Sequence, residues 1–328
     1  MAVRDVEREL EALTSLRTSS ASEARPALEK ALSDKINVVV AKAAALIAEL
    51  QLRELVPHLC AAFDRLLINP VKTDPQCWAK TAIAKALKDL DHSESTIFLK
   101  GIQHVQMEPV WGGQEDTAAT LRATCGLALL QSIDLTREDK LWAIMRLLTE
   151  SSASLRKDAA LMLEALEGRE AAFLLRIKAR MGDSDSTVTG QMFESLLRVE
   201  GENAVAFILE FLRAANPEVR EETALSLGSS RLPKALSALI DLFSEPHLLL
   251  DHEILFRAIS ISRHEDAVRF LLETVRTRRA REALAALDAL KLHRDSPDIR
   301  GRVSEAVAHR SENEIHQEFQ RLFPSENR

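Results

Sequence analysis

Apolar side chains return along this chain in stripes with a four-residue step. Leu121, Cys125 and Leu129 make one stripe; Leu155, Ala159 and Leu163 a second; Val188, Met192 and Leu196 a third. Val219 and Leu227, with Thr223 between them, make a fourth. Positions i, i+4 and i+8 share one face of a helix, so each stripe predicts an amphipathic helix with a single buried face. The stripes begin 34, 33 and 31 residues apart, and weaker copies stand at Val39–Ala43, Trp78–Ala82, His252–Phe256 and Ala280–Leu284. Between them run further helix-length segments at 52–67, 134–148, 170–181, 204–213, 234–243 and 266–275. Asp74-Pro75, Gly182-Asp183, Asn216-Pro217 and Glu245-Pro246 separate the two series as turn formers. Pro217 and Pro246 suit a first helical turn, where a missing N–H costs nothing. The pattern reads as about eight helix-turn-helix units, each covering its neighbour's apolar stripe.

Composition agrees with helices and excludes much else. Only 10 Gly and 10 Pro occur, aromatics are 4% and Tyr is missing, which leaves too few turn formers and β-preferring residues for an all-β chain of 328 residues. The net charge of −7 argues against a dedicated nucleic-acid binder, which needs a basic excess to neutralise phosphates. Cys60, Cys77 and Cys125 show no paired spacing and read as small core residues, with no metal site and no disulfide framework expected. The first ten residues mix charges with no apolar run behind them, and no stretch is apolar enough to span a membrane, so a cytoplasmic protein is expected.

The run Asn216-Pro217-Glu218-Val219-Arg220, continuing to Ala224, Leu227 and Gly228, resembles the second helix of HEAT repeats, especially the short HEAT-like units of bacterial proteins. That resemblance implies an all-α, right-handed alpha-alpha superhelix: a single HEAT-like solenoid domain over 1–328. Its parts would be an N-terminal capping helix (1–20), longer repeats (21–105), an inserted loop (106–118), regular repeats of about 31–34 residues (119–310) and a C-terminal cap (311–328). Val3, Val6, Leu10 and Leu13 stripe the first cap; Ile315, Phe319, Leu322 and Phe323 stripe the last. The Asp or Asn before a second helix and the Arg at its start look like the family's inter-repeat polar ladder, kept in Asp116/Arg122 and Asn216/Arg220 and lost at Val40 and Thr189.

The segment Met107-Glu108-Pro109-Val110-Trp111-Gly112-Gly113-Gln114-Glu115-Asp116 is longer than the other connections. Trp111 is a common interface anchor, and Gly112 and Gly113 permit close backbone approach, so the loop is a candidate partner contact at the edge of the concave face. The alternative is that Trp111 folds back to fill a gap between units. Arg122, Arg156, Arg220 and Arg281 recur once per repeat; they would form a cationic row on the inner surface, or pair with Asp116, Asp158 and Glu221. The basic stretch Arg276-Thr277-Arg278-Arg279-Ala280-Arg281 reads as a solvated face.

Catalytic signatures are missing: no GxSxG, P-loop, HExxH or dinucleotide fingerprint occurs. His252-Glu253 and His264-Glu265 are similar to the metal-binding pairs of deoxyhypusine hydroxylase, but Arg156-Lys157 and Arg220-Glu221 stand at equivalent places, so that pattern is broken. HEAT-like DNA glycosylases line a basic groove with aromatics, whereas Trp78, Phe193, Phe256 and Trp142 here read as core. Phycobilin lyases share the architecture, but no bilin site is singled out. The expectation is therefore a non-catalytic scaffold or adaptor holding a protein partner, with no cofactor. The alternative is a HEAT-like nucleic-acid-binding or DNA-repair protein or another HEAT-like enzyme.

Overall fold

A computed structural model describes residues 5–245 and 249–324; Val3 and Pro246, given roles above, lie outside them. The chain divides into two compact units, Met1–Leu166 and Glu167–Arg328. Among the described residues there are twenty α-helices and one two-stranded sheet.

The first unit opens with α1 (Val6–Ser15), α2 (Ala21–Leu32), α3 (Asn37–Glu49), α4 (Val56–Leu66), a single turn α5 (Pro70–Thr73) and α6 (Trp78–Asp89). It continues with α7 (Thr96–Ile102), the strands β1 (Met107–Val110) and β2 (Gly113–Asp116), α8 (Ala119–Leu129), α9 (Arg137–Leu147) and α10 (Ala153–Leu166). Helices pair as α2/α3, α4/α6, α7/α8 and α9/α10, and the second members α3, α6, α8 and α10 stack side by side, with α1 against α3. The second unit holds α11 (Gly168–Met181), α12 (Ser186–Glu200), α13 (Glu202–Leu209), α14 (Pro217–Ser229) and α15 (Pro233–Leu242). Then come α16 (His252–Ile261), α17 (Glu265–Thr277), α18 (Ala280–Leu290), α19 (Pro297–Ala308) and α20 (Asn313–Leu322). Its pairs are α11/α12, α13/α14, α15/α16, α17/α18 and α19/α20, and α12, α14, α16, α18 and α20 form its stack. The segment at the C-terminal end is thus the second helix of a further pair, laid on α18.

Local chemistry sets the helix starts. Ser20 and Glu23 form a capping box on α2, as Thr136 and Asp139 do on α9. Asn216 accepts from Glu218 N (2.9 Å) ahead of Pro217, the first residue of α14. Burial follows the four-residue stripes: Leu121, Cys125, Leu129, Leu155, Ala159, Leu163, Val188, Met192 and Leu196 are all buried. Small residues let the stacked helices close up. A Cβ added to Gly228 would stand 2.1 Å from the Ala258 carbonyl oxygen on α16, and one added to Gly126 would meet Met162 of α10 at 2.8 Å. The repeat is also written in ion pairs between groups 30 to 38 residues apart. Arg17–Glu49, Arg53–Asp91 and Lys100–Asp64 lie in the first unit, and Arg180–Glu210, Arg257–Glu221 and Arg302–Glu265 in the second.

Two expectations are corrected. Trp78 and Trp142 are 54% and 64% exposed, although Phe193 and Phe256 are core. Trp78 heads α6, ahead of its buried Ala79, Lys80 and Ile83, and Trp142 lies on the outer side of α9, opposite Ile144. The inserted segment is a β-hairpin instead of an irregular loop. Its register pairs Met107 with Asp116, Glu108 with Glu115, Pro109 with Gln114 and Val110 with Gly113. A two-residue connection, Trp111-Gly112, closes it, and Gly112 sits at φ +92°, a region that glycine occupies without strain.

Candidate partner-binding site

The hairpin stands on a buried polar network that starts with Asp74, the residue before the α6 turn. Its carboxylate accepts from Ala79 N and Lys80 N (2.9 Å each), from Lys80 Nζ (3.0 Å) and from Asn37 Nδ2 of the preceding pair (2.9 Å). Both side chains of the Asp74–Lys80 ion pair are fully buried. Buried charges persist when paired and hydrogen-bonded; here the carboxylate takes four donors, and Lys80 Nζ also reaches Leu66 O (3.5 Å). Gln106 Nε2 donates to Asp74 O (2.8 Å) and to Glu108 Oε1 (2.6 Å), which ties the foot of β1 to that pair. Since its amide nitrogen donates twice, Gln106 Oε1 accepts from His104 Nε2 (3.1 Å). Burial leads the lowering of the His104 pKa and keeps the ring neutral.

Glu108, 6% exposed, receives three donors on one oxygen: Gln106 Nε2, Gln76 N (2.7 Å) and Thr117 Oγ1 (2.8 Å). Desolvation works to raise its pKa, but the donors outweigh it and the carboxyl sits below its ordinary range. Asp116, at the foot of β2, accepts from Gln106 N and Ala118 N (3.1 Å each) on one oxygen and from Arg122 Nη2 (2.6 Å) on the other. Desolvation again opposes, and the hydrogen bond from Arg122 leads the groups that pull the Asp116 pKa down. The two strands are thereby nailed to α6 and α8 at their feet, while Pro109 to Glu115 stand exposed.

Trp111 crowns this arm at 103% exposure, so the gap-filling alternative falls: the indole touches no unit of the stack. Gly112 and Gly113 follow it, and the nearby Met107 and Val110 are exposed as well. The repeated arginines behave differently. Arg122, 1% exposed, lies under the hairpin, where it also donates to His104 O (2.9 Å) and Glu150 Oε2 (3.2 Å). Arg156, buried, donates to Glu150 O (2.7 Å) and Ser151 O (2.8 Å); Arg220, half-buried, donates to Ala214 O (2.8 Å), Ala215 O (3.1 Å) and Leu249 O (3.1 Å). Each guanidinium donates to carbonyls of the turn that follows its own first helix and so ties that turn to the second helix. They are not a surface row. Arg281 is exposed at the start of α18.

Lys80 takes the same slot in α6, which sequence reasoning missed although Ala79-Lys80 aligns with Leu121-Arg122. The buried Asp74, Gln106 and Glu108 and the half-buried Glu150 were missed too, because nothing in their neighbours marks them out. In the basic stretch, Arg278 lies over the Phe243 ring (5.1 Å) and Arg276 faces Glu305 (3.6 Å), so much of that charge is answered internally. His252 stacks on Phe256, and His264 is hydrogen-bonded to Arg231 O (2.7 Å). Among the described residues no group of three or more His, Cys, Asp and Glu side chains is placed to hold a metal ion, and no helix is long and apolar enough to cross a membrane. Burial pushes the Cys77 thiol up to about 12, out of reach of thiolate chemistry at neutral pH.

Residues 174–250 match the family model of HEAT repeats. No curated protein matches the chain. Among solved structures, human deoxyhypusine hydroxylase is 20% identical with a TM-score of 0.31, over 80% of this chain and 92% of that one. An engineered protein is 16% identical with a TM-score of 0.37, over 98% and 95%. Neither likeness carries an argument about activity. The second unit thus carries HEAT repeats over residues 174–250, and both units are built of stacked helix pairs.

Proposed function

We infer that the chain is a non-catalytic scaffold whose β-hairpin binds a protein partner. The observation that carries this reading is Trp111: a fully exposed indole at the tip of an arm whose foot is fixed by buried hydrogen bonds. An exposed Trp is costly to leave in water and is the side chain most often found at the energetic centre of interfaces. A fixed arm also lowers the ordering cost of binding. The arginine row contributes to holding the repeats together and is not part of the contact.

Capture from a lysate by wild type and by Trp111→Ala, read by mass spectrometry beside a thermal melt, tests this. The expected result is loss of specific partners at an unchanged melting temperature, since the indole packs against nothing. Equal capture by both proteins would sink the reading. Steeply salt-dependent binding of duplex or single-stranded DNA would favour the nucleic-acid alternative instead.

A further inference from the structure

The two edges of the hairpin are chemically unequal. Thr117 N donates to Gln106 O (3.0 Å), so 106/117 is a hydrogen-bonded pair. Antiparallel pairs alternate along the ribbon. In the observed register, 108/115 and 110/113 are then bonded across the ribbon, whereas the backbone groups of 107/116 and 109/114 point outward. On β1 the outward positions include Pro109, which has no N–H to offer and blocks that edge. On β2 the equivalent position is Gln114, which presents both N–H and C=O to solvent. Only β2 can template another strand.

Charge says what kind of strand. Directly opposed residues share a face of the ribbon; there Glu108 is buried and already holds three donors, which leaves Glu115 as the exposed carboxylate of that face. No Lys or Arg occurs from Gly101 through Leu121 to neutralise it. Among the described residues neither carboxylate has a cationic partner, and Glu115 is exposed. The exposed face of Trp111 is a further seat for a cation.

We propose that β2 accepts an extended, positively charged segment of a partner protein as a third strand, with a Lys or Arg side chain set against the exposed carboxylate of Glu115. This rests on the reading of the hairpin as the contact. A second copy of this chain fits poorly, because its own hairpin would bring the same negative charge to the edge.

Titrations of the full chain use three synthetic probes: an alternating Val/Arg peptide, its Val/Glu counterpart, and the Val/Arg peptide N-methylated on alternate backbone nitrogens in either phase. The Val/Arg peptide is expected to bind, one methylation phase to weaken it by about tenfold and the other to leave it unchanged, as strand addition through one edge requires. Gln114→Pro should weaken binding by about tenfold, Gln114→Ala should not, and Glu115→Gln should weaken it severalfold, roughly one lost hydrogen bond or charge contact each. Far-UV circular dichroism of each variant verifies that the helices stand. No binding of the Val/Arg peptide, equal binding of the Val/Glu peptide, or indifference to both methylation phases overturns the proposal. A dimer in sedimentation equilibrium that Gln114→Pro dissolves overturns it in favour of self-pairing. If Trp111→Ala loses lysate partners that Gln114→Pro keeps, the hairpin remains the contact and strand addition alone falls; if neither variant loses any, both readings fall.

Discussion

Asp116 shows how much one side chain can organise: its two oxygens cap the start of α8, hold the foot of β1 and fix Arg122. Removing the cation leaves Asp116 and Glu150 facing each other and the His104 carbonyl uncapped. Arg122→Met should therefore destabilise the first unit by about 3 kcal/mol, the low end for breaking a buried pair because both carboxylates keep some contact with water. Denaturant unfolding measures this. Acid should act on the same foot. Asp116 and Glu108 both have lowered native pKa values, so their contribution is complete above the ordinary carboxylate values near about 4 and is lost as the pH falls through the native ones. Hydrogen exchange at the Gln76 N–H, corrected for its intrinsic rate, should accelerate below that point in wild type and show little such dependence in Glu108→Gln. None of this could be read from the sequence beyond the Asp116/Arg122 pair. Lys80 and Glu108 are residue types that belong on surfaces, and only the fold shows that three donors and a carboxylate surround them.

At the level of elements, the helix pairs were legible because a stripe with a four-residue step has one structural solution. Their close approach was less so. Gly228 looks like a helix-weakening residue until the Ala258 carbonyl is found where its Cβ would be. Gly228→Ala, which ordinarily favours a helix, should here cost about 1–3 kcal/mol by forcing α14 away from α16, and a thermal melt decides the sign. Ala224→Leu should act in the same direction, since Ala224 is buried in the same helix. The hairpin was not legible. Two strands of four residues are too short to establish an alternation, and Trp-Gly is not among the usual two-residue turns. Its single signal was the excess length of the connection.

Across the whole chain, stability is a sum over neighbours within each stack, with no single centre. The exposed ion pairs one repeat apart record that neighbourhood more than they create it, for such pairs contribute about 0–1 kcal/mol each. Raising the salt should accordingly shift the melting temperature only slightly. In the same spirit, Gly228→Ala should raise hydrogen exchange first in α14 and α16 and only later in α20; uniform acceleration over the second unit would contradict a nearest-neighbour stack. Pro109 has a consequence at this scale too. Copies that join edge to edge in one direction need a donor side and an acceptor side on every arm, and growth of a fibre depends on both staying open. With the β1 side interrupted at Pro109, copies of this arm could join only β2 to β2, and such a pair closes on itself instead of growing.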